Sequence, residues 1–148
     1  MVKSIVAVIA SYAAMFIFSM AVFMGAFLAL GVERVFQPDS YEVSTLWMAL
    51  AALLSFCGSI LGGLICAAIS KSKRTCQVFA FIVFFLSLLA CIPAMKRNPD
   101  APNVRAGEVS NFEALRLEVS PMWFHFLTPV ISAAGVLLGA RMKLRPNA

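Results

Sequence analysis

The chain is poor in charge. Asp, Glu, Lys and Arg make up 13% of its 148 residues and there is a single histidine, where a soluble domain carries about 25% charged residues. A chain so short of ionised groups cannot clothe a water-soluble globule, and its hydropathy excludes a disordered tail. Four cysteines occur without a C-x-x-C pair, unlike a disulfide-dense secreted module or a thiol-oxidising membrane enzyme. G-x-x-x-x-G-K-[ST], H-E-x-x-H and G-x-S-x-G are all missing, so no phosphate loop, zinc-protease helix or nucleophile elbow is offered.

What is present is apolar. Hydrophobic residues make up 61% of the chain, with a mean hydropathy of +0.91. Charge-free runs cover residues 4–32, 43–70, 75–95 and 119–140, and each can cross a hydrocarbon core that needs about 20 helical residues. A membrane barrel would alternate in polarity over segments of about ten residues, whereas Phe79 to Leu86 is nearly unbroken apolar sequence. These runs predict an all-α integral membrane protein, one domain of four transmembrane helices in an up-down bundle. The first run follows Lys3 as a signal peptide would, but it is far longer than a cleavable apolar region of about 7 to 15 residues. It reads as a retained anchor.

Charge sorts by side. Lys3, Lys71, Lys73, Arg74, Arg141, Lys143 and Arg145 fall on one side with no acid. All seven acids fall on the other, with Arg34, Lys96, Arg97, Arg105 and Arg116. Excess Lys and Arg in short loops marks the cytoplasmic face, which predicts both termini cytoplasmic in a cell (inner) membrane. The net charge of +5 therefore records topology, and no nucleic-acid partner is expected. Trp47 and Trp123, near the starts of the second and fourth spans, are expected as interface anchors.

The second span has two faces. Ala51, Ser55, Gly58, Ser59, Gly62, Gly63 and Cys66 share one half of the helix, and Leu53, Leu54, Phe56, Ile60, Leu61 and Leu64 the other. In lipid, a face stripped of side chains lets backbones approach and gain dispersion contacts. The fourth span repeats the device with Ser132, Gly135 and Gly139, and the first carries a looser version in Ser4, Ala7, Ser11, Ala14, Ala21, Gly25 and Ala29. The expected helix-packing residues are Ser55, Gly58, Ser59, Gly62, Gly63, Gly135 and Gly139. The third span lacks a small face and is expected at the periphery. Pro129 should kink the fourth. Both hairpins end in G-x-x-x-G before basic residues, through duplication or, as the preferred account, through convergence under membrane constraints.

The loop 96–118 opens on a proline-containing turn, Asn98 to Asn103. Ser110 to Glu113 then matches a capping box, predicting a short amphipathic helix with Phe112, Leu115 and Val119 on one side until Pro121. It reads as a connector, or else a docking surface.

Chemistry is hard to find. No charged residue lies within a span, while proton-coupled pumps keep an intramembrane carboxylate and voltage sensors keep arginines. His125 alone cannot supply the ligand set of a haem or zinc site. Cys57, Cys66, Cys76 and Cys91 read as small buried residues, with Cys76 placed where acylation would be conceivable. The outer acids do not follow the spacing of a calcium loop. No catalytic, cofactor-binding or metal-binding residues are therefore named, and the chain is not expected to be an enzyme. The expectation is an accessory or scaffold subunit of a membrane assembly, its partners the lipid bilayer and another membrane protein or itself. The competing reading is an oligomeric pore or carrier for a small neutral or apolar solute, lined by the small face of the second helix.

Overall fold

A computed structural model describes residues 2–92 and 118–144. The described chain is helical: α1 (Val2–Leu30), α2 (Val32–Val35), α3 (Thr45–Ser70), α4 (Lys73–Ala90) and α5 (Met122–Leu144). All but α2 are long and apolar enough to cross a membrane, and the protein is a multi-pass membrane protein. Backbone N–H and C=O groups find no water in lipid, so a helix that satisfies its own is the element these runs must form.

The ends of the helices are set locally. Gly31, at φ 69°, takes the left-handed conformation that lets the chain leave α1 and enter α2. Ser44 caps α3 by accepting from the Trp47 amide at 3.1 Å, and its hydroxyl donates to the Arg34 carbonyl at 2.7 Å. A two-residue connection joins α3 to α4, with Lys71 at φ 51° and Ser72 capping α4 through the Thr75 amide.

α3 and α5 share the most extensive interface, α1 packs on α3, and α4 packs on α5. The main core gathers Ala7, Cys66, Ala67, Cys76, Phe79, Ala80, Val83, Val136 and Ala140. This corrects the peripheral placement expected for the third span. α4 has no glycine but turns Thr75, Cys76, Phe79, Ala80 and Val83 inward, with the Phe79 ring filling room that Gly62 leaves on α3. α1 is the most exposed span, with 11% of its apolar window buried against 28% to 33% in the others.

A second cluster closes the acidic end, where Phe27, Val35, Phe36, Val43 and Trp47 pack together. Two isolated β-bridges tie it down: Phe36 pairs antiparallel with Val43, and Glu42 parallel with Val119. Val119 accepts from the Val43 amide at 3.1 Å and donates to the Tyr41 carbonyl at 2.9 Å. Val119 is thus extended and paired, not helical as expected, and α5 begins only at Met122, after Pro121. Backbone pairing to 41–43 satisfies groups that a surface helix would have satisfied internally. The turn at 98–103 and the capping box at 110–113 lie outside the described residues.

Candidate functional site

The small residues divide between two kinds of contact. A Cβ added to Gly58 would lie 3.0 Å from the Ser19 hydroxyl and 3.4 Å from the Phe18 ring, and one added to Gly62 would lie 3.3 Å from the Met15 side chain and 3.4 Å from the Phe79 ring. These two glycines therefore accommodate side chains of α1 and α4. Gly63, Gly135 and Gly139 do something different. A Cβ on Gly63 would strike the Val136 carbonyl, one on Gly139 would strike the Ile60 carbonyl, and one on Gly135 would lie 2.7 Å from the Ser59 Cβ and 2.9 Å from the Phe56 carbonyl oxygen. Here backbone meets backbone, the approach that small residues permit and that weak Cα–H···O contacts accompany.

The register of that crossing is ordered. Ser59 faces Gly135, Ile60 faces Gly139, and Gly63 faces Val136 and Ala140, so numbers rise together and α3 runs parallel to α5. The seam is Ser59-x-x-x-Gly63 against Gly135-x-x-x-Gly139, one position along from the G-x-x-x-G step of α3. Ser55 stands apart from it. Half-buried, it lines a groove of about 400 Å³ floored by Trp47 and Ala51 of α3, walled by Met24 of α1 and Phe124 of α5, and bordered by Glu118.

The two tryptophans part company. Trp123 is 58% exposed and stands at the start of α5, as an interface residue would. Trp47 is 5% exposed and packs edge-on against Phe23 and Phe27 of α1, ring centroids 6.0 Å away in both cases. Its ring joins α1 to α3 instead of facing lipid. Nothing in the spacing of the second span distinguished these roles, since the covering rings lie on another helix.

Pro129 sits buried inside α5 and has no N–H for the carbonyl of His125, four residues earlier. The Cys91 thiol takes the missing place, its one proton shared between the His125 carbonyl at 3.1 Å and the Ser87 carbonyl at 3.2 Å. This role for Cys91 was not read from the sequence, although a proline four residues after a carbonyl predicts an orphaned acceptor. Cys66 and Cys76 are buried and Cys57 is exposed, all as free thiols. Ser11 is fully buried, and its hydroxyl has no hydrogen-bond partner among the described residues. No group of three or more His, Cys, Asp or Glu side chains is arranged to hold a metal ion among the described residues.

Comparison with family models, curated proteins and solved structures finds no match.

Proposed function

We propose that this protein is a small accessory or scaffold subunit that acts through helix–helix contact, lying in the cell (inner) membrane with both termini cytoplasmic. One observation carries the reading. Of the small residues on α1, Ala7 and Ser11 are buried in the bundle, but Ala21, Gly25 and Ala29 are exposed, and a Cβ on Gly25 would meet nothing within 4 Å. Residues four apart share a helix face, so this stripe offers to a neighbour the kind of surface that α3 and α5 already use on each other. α1 is also the span with least of itself committed to the bundle. Its partner is another membrane protein or a second copy of this chain, and the role is non-catalytic.

The competing conduit would need open space along the small face of α3. Gly58, Gly62 and Gly63 on that face are met by Phe18, Met15 and Val136, which favours packing over a lining.

Cysteine cross-linking tests the proposal. Gly25→Cys in native membranes should form a disulfide with a second copy, or cross-link to one defined membrane protein, while Phe16→Cys, exposed on the opposite face of α1, should not. Gly25→Leu should abolish that association and leave the fold intact. If Gly25→Leu leaves every association unchanged, or if the purified chain conducts a solute in liposomes, the scaffold reading fails.

A further inference from the structure

A different surface joins charge to apolar lining. Between α4 and α5, at the basic end, lies a groove of about 530 Å³ with Leu137 and Leu144 along it and Lys73, Gln77 and Arg141 around it. Lys73 opens α4, and Arg141 stands in the last turn of α5. No Asp or Glu occurs between Val43 and Pro99 or after Glu118, so neither helix carries a carboxylate to neutralise the pair. Among the described residues, two exposed cations beside an apolar slot leave one half of an ionic interaction open.

We propose that this groove binds one anionic diacyl phospholipid, with its phosphodiester between Lys73 and Arg141 and an acyl chain running inward along Leu137. The guanidinium of Arg141 presents parallel donors to two phosphate oxygens, and Lys73 adds a compact charge. Gln77 offers a donor and an acceptor to the headgroup's hydroxyl or ester groups. A zwitterionic headgroup carries the same phosphate but brings a cation against two others, so phosphatidylglycerol is favoured over phosphatidylcholine. Basic pockets between transmembrane helices suit anionic headgroups for this reason. Inorganic phosphate shares the ionic contact and lacks the chain that fills the slot.

Native mass spectrometry of the full chain, delipidated in detergent and titrated with dioleoyl phosphatidylglycerol or phosphatidylcholine, tests this. One equivalent of phosphatidylglycerol should be retained over phosphatidylcholine, and Lys73→Gln with Arg141→Gln should weaken it on the order of tenfold. Lys3→Gln with Lys143→Gln removes the same charge from outside the groove and should leave retention nearly unchanged. Leu137→Trp keeps both cations and fills the slot, and should block the lipid without altering helicity. The proposal is overturned if the two double variants lose lipid equally, if both lipids are retained alike, if inorganic phosphate displaces the lipid, or if Leu137→Cys cross-links to another protein helix in native membranes.

Discussion

The α3–α5 seam makes a graded prediction about glycine. At Gly63 and Gly139 a methyl group meets a backbone carbonyl, Val136 in one case and Ile60 in the other. A carbonyl within a helix cannot swing aside as a side chain can, so the helices must separate along the seam. Overpacking of this kind costs about 1 to 3 kcal/mol, and both folded and unfolded states are helical in lipid, so the usual propensity gain of alanine offsets little of it. Gly63→Ala and Gly139→Ala should each lose about 2 kcal/mol. Gly62→Ala meets the flexible Met15 side chain at 3.3 Å and the Phe79 ring at 3.4 Å, and should lose about 0.5 to 1 kcal/mol as those side chains adjust. Gly25→Ala meets nothing and should be neutral within about 0.5 kcal/mol. The double variant Gly63→Ala/Gly139→Ala should cost less than the sum, because the separation forced by one methyl makes room for the other. Reversible unfolding in mixed micelles, followed by steric trapping, supplies the five values. If Gly63→Ala is as mild as Gly25→Ala, or if the two seam substitutions add fully, the seam is not a backbone contact and the reasoning is refuted.

The proline and cysteine should be coupled. Cys91→Ala should cost about 0.5 to 1 kcal/mol by stranding the His125 carbonyl, and a double-mutant cycle should show that cost vanish once Pro129→Ala restores the helical donor; additive costs would refute the link. The tryptophans should differ in their contact with lipid. With Trp47→Phe or Trp123→Phe leaving a single indole, brominated phospholipids should quench Trp123 strongly and Trp47 weakly, and equal quenching would contradict the packing of Trp47 under Phe23 and Phe27.

The helices were legible because lipid leaves the backbone so few choices. A charge-free run of sufficient length must become a helix, and the runs 4–32, 43–70, 75–95 and 119–140 differ from the four long helices mainly where a cap intervenes, as where Ser72 lets α4 begin at Lys73. The small face of α3 was legible as well. Its allocation was not: Gly58 and Ser59 are adjacent in sequence and about 100° apart around the helix, yet they meet different neighbours. Choosing between them requires the crossing angle, which depends on side chains of both helices. The inward face of α4 was not marked by glycine, and its largest member, Phe79, fills space that Gly62 vacates on another helix. The bridge at Val119 was missed for want of periodicity, since a single paired residue has none.

The parallel seam also bears on whether the two hairpins are copies. One of its contacts pairs Ser59 with Gly135, and the same offset aligns Gly63 with Gly139 and Trp47 with Trp123 in the sequence. Each helix of the seam also bears its own companion, α1 on α3 and α4 on α5. Convergence on a small face explains the glycines, and the preference of indole rings for the membrane interface places a tryptophan near the start of each span, so membrane constraints account for both. By the same register Arg141 lies level with Ile65, six residues and about 9 Å along the axis before Lys71. A cation placed that far inside the level of its counterpart has to reach outward along its own aliphatic stem or draw an anionic group inward to meet it. The groove beside Lys73 gives it the second option.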